Sequence, residues 1–248
     1  MKDYPLASTG PNVLAPAFDP DAPSAERAPA LPWMDAGTMT GLVPLPPGYR
    51  YEYVRQAEVP EVIQFLHTWF PNILVGAASC YLRESFYARH VVLADVAETH
   101  RRDTMVVLVR KGRELTAMFS AQRDRDTLAL FGRLGAVAEG HRHLGIAESV
   151  MALTEPLARD QGMELAFGFA TLHMPFMQMA LERYGFRLVG ITPGYDREMV
   201  SPGVVKRVYE ALYVKVLARE GAMMRPDPAN LTPTTRALFQ SLFGETSA

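Results

Sequence analysis

The chain has 248 residues, of which 48% are hydrophobic and 21% are charged, and its formal net charge is −2. These values are typical of a folded globular domain with extensions, and the lack of a basic surplus argues against nucleic acid or an anionic membrane as a partner. The single cysteine, Cys80, excludes an internal disulfide and suits a reducing compartment. The first residues carry no apolar signal region and no apolar run is long enough to span a bilayer, so we expect a cytoplasmic protein.

Residues 1–48 form a distinct, proline-rich segment that holds ten of the nineteen prolines. Because proline fixes φ and lacks an N–H donor, we expect neither a helix nor a central strand here, but an extended N-terminal arm. Part of this arm is predicted to dock on the folded domain, because it carries the large apolar residues Trp33, Leu42, Val43 and Leu45.

Helices and strands then follow in a mixed order. Apolar spacing predicts a strand over Tyr49–Ala57, a helix from Glu58 to Pro71 and a helix over Ala77–Arg89 whose buried side holds Tyr81, Leu82 and Phe86. Two β-rich runs, Thr104–Arg110 and Glu114–Gln122, flank a Lys-Gly-Arg turn and predict a hairpin, and Thr127–Val137 adds a third strand.

The third strand leads into the most informative stretch of the chain. It ends in Ala136-Val137-Ala138, a polar turn follows, and Ile146, Val150, Leu153 and Leu157 then recur at helical spacing. The first N–H groups of such a helix have no internal partner, and the positive end of the helix dipole faces the turn. This arrangement favours binding of an anion such as phosphate, to which Arg142 adds a positive charge and Gly145 allows close backbone approach.

The segment Arg142-His143-Leu144-Gly145-Ile146-Ala147 resembles the (Gln/Arg)-x-x-Gly-x-(Gly/Ala) signature of the GCN5-related N-acetyltransferases. The resemblance implies an α/β fold with a mostly antiparallel, splayed central sheet flanked by helices, and a turn that holds the pyrophosphate of acetyl-CoA. By the same resemblance, the strand end would grip the pantetheine arm. The implied cofactor-binding residues are Ala136, Val137, Ala138, Arg142, His143, Leu144, Gly145, Ile146 and Ala147.

The rest of the domain is predicted to continue as helix, strand, helix and two strands. Pro156 predicts a bend or a local break near Ala152–Glu155 in the helix after the turn, and Gly168 predicts a close backbone approach or a bulge in the strand Leu165–Ala170. Pro175 begins a helix, Phe186–Ile191 returns as a strand, and Thr192–Gly203 is expected to be a loop because of its two Pro-Gly pairs. The alternation of Lys206, Val208, Glu210, Leu212 and Val214 predicts a closing strand over Val204–Leu217.

A second segment is similar to the family's Asn-x-x-Ala-x-x-x-Tyr-x-x-x-Gly-Phe pattern, but with departures. Counted back from Gly185-Phe186, the tyrosine position falls on Leu181 and the asparagine position on Met174. The usual general-acid tyrosine is therefore missing from its place, and Tyr184 lies one helical turn later.

Acetyl transfer to an amine needs a group that removes a proton before attack. The candidate catalytic residues are Glu139 at the mouth of the turn, His173 after the Leu165–Ala170 strand, and Tyr184. Each of them could instead have a purely structural role: Glu139 as a solvated glutamate, His173 as a hydrogen-bonded histidine and Tyr184 as a core residue. Tyr195 and Asp196 lie in a segment able to cover the acceptor site. His141 and His143 lack the cysteine or acidic neighbours of a zinc site, so no metal is expected.

The leading interpretation is an N-acetyltransferase that moves an acetyl group from acetyl-CoA to the primary amine of a small molecule or amino acid, by direct attack in a ternary complex. The alternative is a non-catalytic acyl-CoA sensor or an assembly module on the same scaffold. The predicted organisation is an arm over 1–48, the catalytic domain over 49–217, and a linker with a short helix over 218–248. A homodimer is common in the resembled family.

Overall fold

The computed structural model describes residues 28–244, so expectations for residues 1–27 and 245–248 lie outside it. Its α-helices are Ala36–Leu42 (α1), Val59–Trp69 (α2), Glu84–His90 (α3), Ile146–Asp160 (α4), Phe176–Arg183 (α5) and Pro233–Phe243 (α6). Its strands are Tyr49–Tyr53 (β1), Thr104–Lys111 (β2), Glu114–Asp124 (β3), Ala129–Val137 (β4), Leu165–Thr171 (β5), Arg187–Ser201 (β6) and Val204–Val216 (β7).

The strands form one sheet in the order β1-β2-β3-β4-β5-β7-β6. Every neighbouring pair is antiparallel except β4 and β5, which run parallel because α4 crosses over between them. The predicted hairpin is confirmed, with Gly112 at a φ of 59° in the turn between β2 and β3. The predicted α/β fold with a mostly antiparallel sheet is therefore confirmed.

The parallel pair separates part-way along its length. β4 and β5 are paired from Ala129↔Leu165 to Gly132↔Gly168; beyond this point, among the described strands, β4 continues to pair with β3 and β5 with β7. A Cβ built on Gly168 would lie 3.6 Å from the Gly132 carbonyl oxygen, so the two backbones approach closely where the strands begin to part. The result is a wedge-shaped gap, here called the splay, in the middle of the sheet.

Each face of the sheet carries its own hydrophobic core. One core joins the sheet to α4 and α5 through residues such as Leu153, Leu157 and Leu181. The other joins it to α2 and α3 through Val62, Leu66 and Tyr87 among others. The splay consequently opens between two layers of helices.

The helix predicted over Ala77–Arg89 is interrupted. A 3₁₀ helix spans Ala77–Leu82, Arg83 is extended, and α3 follows. The interruption turns Tyr81 into the core, where its hydroxyl bonds the Ser120 hydroxyl on β3, while Phe86 is only partly buried. Of the bend or local break predicted near Ala152–Glu155, the break is wrong, because α4 continues through Pro156 without interruption.

The described part of the arm, residues 28–48, contains a helix that proline content alone did not predict. Asp35 caps α1 by accepting a hydrogen bond from the Thr38 N–H at 2.9 Å. Trp33 is buried and donates from Nε1 to the Arg102 carbonyl at 2.9 Å, so the expected docking is confirmed at that residue, whereas Leu42 is 54% exposed.

Arg123 on β3 anchors this arm to the domain. Its guanidinium is buried and bonds the carbonyl of Leu31 and the side chain of Gln161, and it pairs with Asp103 at 3.1 Å. The guanidinium also lies 4.8 Å from the ring centre of Trp33. One buried cation therefore ties the arm, β3 and the end of α4 together.

The predicted loop over Thr192–Gly203 is wrong, because most of it belongs to β6. The register runs from Thr192↔Glu210 directly to Asp196↔Val208, so Pro193, Gly194 and Tyr195 form a wide bulge rather than a loop. The long partner strand β7 supplies the ladder that local turn propensity could not reveal. Only the Pro202-Gly203 pair makes the connecting turn.

The C-terminal segment ends in α6, the short helix that the sequence predicts, and the Thr232 hydroxyl caps it by accepting from the Thr235 N–H. Arg187 on β6 donates to the Leu242 carbonyl at 2.7 Å and stacks on the Phe243 ring. The apolar side of α6 stays largely open, with Leu238 54% exposed.

Candidate active site

The turn between β4 and α4 has the geometry of an anion cradle. A short 3₁₀ turn over Glu139–His141 is followed by His143 at a φ of 63° and Gly145 at a φ of 86°. Gly145 is the N-cap of α4 and supplies no side chain, and among the described residues no side chain caps the first N–H groups of the helix. The side chains of Arg142 and His143 are exposed beside these free donors.

His141 holds the turn in place. Its Nδ1 lies 2.8 Å from the Tyr49 hydroxyl on β1, and its Nε2 lies 3.1 Å from a Glu114 carboxylate oxygen on β3. The ring is therefore half-buried and structural rather than exposed beside a phosphate. Within residues 28–244, no group of three or more His, Cys, Asp or Glu side chains is arranged to hold a metal ion.

A largely apolar channel of about 260 Å³ runs from the first turn of α4, at Ala147, into the splay. It passes under α4 at Ala147 and Met151 and reaches Gly132, Gly135 and Phe169, where the strands part. Since β4 and β5 are unpaired beyond Gly132 and Gly168, their inner edges offer free main-chain N–H and C=O groups to the channel. A slender ligand with amide groups could hydrogen-bond there as an added strand does.

The channel is widened by a bulge in β4. Ser120 pairs with Leu134 and Ala121 pairs with Gly132, so Arg133 has no partner in the ladder. The Arg133 guanidinium stacks over Phe131, 5.1 Å from the ring centre, and lies 4.0 Å from the Cys80 sulfur. Burial raises the pKa of that thiol, as expected for an inert core cysteine.

A second, smaller cavity of about 60 Å³ meets the channel from the other face of the sheet. The two share Gly132, Arg133 and Phe169, so they join at the splay. The second cavity is lined by Glu210 on β7 and by Tyr195, whose ring stacks on Phe169 at 4.3 Å between ring centres.

Glu210 is the functional candidate that sequence reasoning missed. It is only 8% exposed, and its carboxylate makes no hydrogen bond or ion pair within residues 28–244. Burial, together with the charges of Asp196 and Glu198, raises its pKa to about 7. The pKa of Glu198 is also raised, first by burial and then by Asp196, while His173 opposes the shift.

Asp196 fixes β6 against the 3₁₀ helix that follows Gly76. Its Oδ1 accepts from the Ala77 N–H at 2.8 Å and from the Arg197 N–H at 2.7 Å. A Cβ on Gly76 would lie 2.2 Å from the Arg197 carbonyl oxygen, so only glycine fits this contact. The wall of the second cavity is therefore rigidly built.

The structure places the three predicted catalytic residues outside both cavities. Glu139 is exposed on its 3₁₀ turn, and His173 is exposed after β5. Tyr184 lies at the end of α5, where its carbonyl accepts from the Lys215 ammonium at 2.7 Å. Their catalytic roles stay predictions, and none lines the channel or the second cavity.

Of the nine predicted cofactor-binding residues, Ala147 lines the channel, and the other eight precede it along the chain, in the strand end, the turn and the first position of α4. Ala136 and Ala138 point their side chains into the core with α2 and α3. Val137 faces the gap through its main chain, and its carbonyl accepts from the Arg142 Nε at 3.1 Å. Leu144 is exposed and Ile146 is buried, so the turn would act mainly through backbone groups.

No protein-family model and no curated sequence matches the chain. The chain is, however, similar in fold to several solved structures. A ribosomal L7/L12 alpha-N-protein acetyltransferase in complex with coenzyme A aligns with a TM-score of 0.54 and 14% identity over 71% of this chain and 97% of its own. A ribosomal-protein-S5-alanine acetyltransferase from Vibrio fischeri gives 0.53 and 12% over 68% and 93%. A spermidine N-acetyltransferase from Vibrio cholerae gives 0.52 and 8% over 68% and 94%. The chain therefore has the fold of the GCN5-related N-acetyltransferases, as its turn motif predicts.

Proposed function

We propose that the chain is an N-acyltransferase that moves an acetyl group from acetyl-CoA to a primary amine of a small molecule or amino acid. The observation that carries this proposal is the continuity of three features. An uncapped helix N-terminus lies at one end of an apolar channel, and the other end of the channel opens in a splay between two unpaired strand edges. A long ligand with an anionic end and an amide-bearing arm matches this shape.

The chain's own groups fit coenzyme A mainly through the main chain, with Arg142 as the one side-chain ligand in this proposal. Free N–H groups after Gly145 and the Arg142 guanidinium would hold the pyrophosphate. The inner edge of β4 beyond Gly132 would hold the pantetheine amides. These roles belong mainly to the main chain, which explains why few side chains along the channel are polar.

For the transfer, the splay supplies the meeting point of two substrates. The thioester would reach it through the channel, and the amine would enter from the second cavity on the opposite face. A main-chain N–H on the free edge of β4 would donate to the developing oxyanion. Because both cavities are lined by Gly132, Arg133 and Phe169, the two substrates would meet there, and the amine could attack the thioester directly in a ternary complex.

Calorimetric titration with acetyl-CoA tests the cofactor assignment, using Ala147→Glu against Ala147→Gln. Ala147 is exposed in the first turn of α4 and lines the channel, and it avoids the backbone strain of replacing Gly145 at a φ of 86°. A carboxylate about 5 Å from a phosphate charge is repelled by about 3 kcal/mol at an effective dielectric of 20, which weakens binding by about 100-fold. Equal affinities of the two variants, or no binding by the folded wild type, would refute the cradle.

The alternative is an acyl-CoA sensor or assembly module without turnover. Two features favour this alternative. Leu181, which is only 5% exposed, stands where the family pattern has its tyrosine, and the apolar face of α6 is open. Release of free thiol from acetyl-CoA in the presence of a panel of primary amines separates the two functions. Tight binding with no thiol release from any amine would favour the sensor.

A further inference from the structure

The second cavity contains an ionisable side chain with no partner. Glu210 is 8% exposed, yet within residues 28–244 its carboxylate forms neither a hydrogen bond nor an ion pair. Buried charges in proteins are normally paired, because an unpaired one costs folding free energy. Glu210 lines the cavity that meets the splay, so a ligand in that cavity is placed to supply the missing partner.

Resting on the proposed transfer reaction, we infer that Glu210 is the general base and that it takes its proton from a positively charged amine acceptor bound in the second cavity. The register supports this placement. Glu210 lies opposite Thr171 on β5 and Thr192 on β6, and it shares a sheet face with Phe169, whose side chain reaches both cavities.

The charges around Glu210 favour a cation. Asp196 and Glu198 face the same side from β6, while Lys206 of β7 lies opposite Glu198 in the register. Arg133 enters the cavity from β4, but within residues 28–244 it makes no ion pair with these carboxylates. The stacked rings of Phe169 and Tyr195 add an apolar wall suited to the carbon chain of an alkyl amine.

The proton balance of the step is complete. The acceptor ammonium passes one proton to the Glu210 carboxylate, and the neutral amine nitrogen attacks the thioester carbonyl carbon. A carbon–nitrogen bond forms and the carbon–sulfur bond breaks. The second nitrogen-bound proton accompanies the departing thiolate to give free coenzyme A, and Glu210 returns its proton to solvent. No oxidant or metal is needed.

Steady-state thiol release, with 1,5-diaminopentane, glycinamide and glutamate as acceptors, tests this role in the full chain. We expect the dication to be the best substrate and kcat/KM to rise with pH to a plateau above about 7, because only the ionised base is active. Glu210→Gln should lower kcat by about 100-fold or more and abolish the rise near neutrality, with acetyl-CoA affinity unchanged. Glu84→Gln, on the exposed first turn of α3, is the matched control.

The outcomes separate this inference from the proposed function. Acetyl-CoA binding without turnover of any cationic amine, or faster turnover of glutamate than of the dication, overturns the acceptor assignment and leaves the cofactor assignment standing. Turnover by Glu210→Gln with an unchanged pH profile overturns the role as base. Glu210→Asp provides a second variant, and partial recovery of the pH-dependent limb would distinguish a base from a packing residue.

Discussion

Replacing Glu210 with glutamine should stabilise the folded chain at alkaline pH. Burial first, and then Asp196 and Glu198, raise the pKa of Glu210 from 4.5 to about 7. Between these values the native state binds more protons than the unfolded state, so stability falls as the pH rises through this window. The raised pKa corresponds to a destabilisation of the folded chain by about 3 kcal/mol when Glu210 is ionised. This destabilisation is absent below pH 4.5 and reaches its full size above pH 7.

Urea unfolding at pH 5 and pH 8 measures this effect directly. Glutamine keeps the shape of the side chain and removes the charge, so Glu210→Gln should gain about 1 kcal/mol at pH 5 and about 3 kcal/mol at pH 8. Glu84→Gln makes the same chemical change at an exposed position and is the matched control for the substitution itself. An equal gain at both pH values, or a loss at pH 8, would mean that the Glu210 carboxylate is solvated or paired, and the reasoning would fail.

Three further predictions follow from the structure. Arg123→Met should lower the free energy of unfolding in urea by about 3–5 kcal/mol, because it removes a buried charge from its partners. Arg125→Met changes a more exposed guanidinium and should lower it by about 1 kcal/mol. Equal losses would contradict the anchoring role of Arg123. Gly135→Val should weaken acetyl-CoA binding at least tenfold by calorimetry, because a Cβ there already lies 3.3 Å from the Phe119 ring; unchanged affinity would place the ligand elsewhere. Cys80 should react with a maleimide far more slowly in the native chain than in urea, and rapid native labelling would contradict its burial.

The cofactor side of the site could be predicted from sequence because its signals are local. A strand end, a glycine-containing turn and an amphipathic helix lie within consecutive residues around Gly145, and each follows from short-range pattern. The positive φ at Gly145 and the missing side-chain cap are the physical features that such a motif encodes. The splay itself was implied only by the family resemblance, since it depends on where β4 and β5 stop pairing.

Other elements depended on distant partners and were predicted wrongly. Pro193-Gly194 is a turn signal, yet the ladder with β7 absorbs it as a bulge. Helix α1 forms inside a proline-rich arm because Asp35 caps it and Met39 buries its side chain completely. Tertiary burial outweighs local propensity in both cases.

The acceptor side of the site escaped prediction for a related reason. The side chains of every second residue of β7 lie on the same face of the sheet. On this face, Glu210 places a carboxylate in a row that includes the apolar side chains of Val208, Leu212 and Val214. From sequence alone, such an interruption is equally compatible with a solvent-facing strand. The register with Thr171 and the burial of Glu210 remove that ambiguity, because the charge then breaks the packing rule without local compensation. Breaks of this kind concentrate at functional sites, and the burial that makes the ionised Glu210 unfavourable for folding also suits its carboxylate to accept a proton near neutral pH.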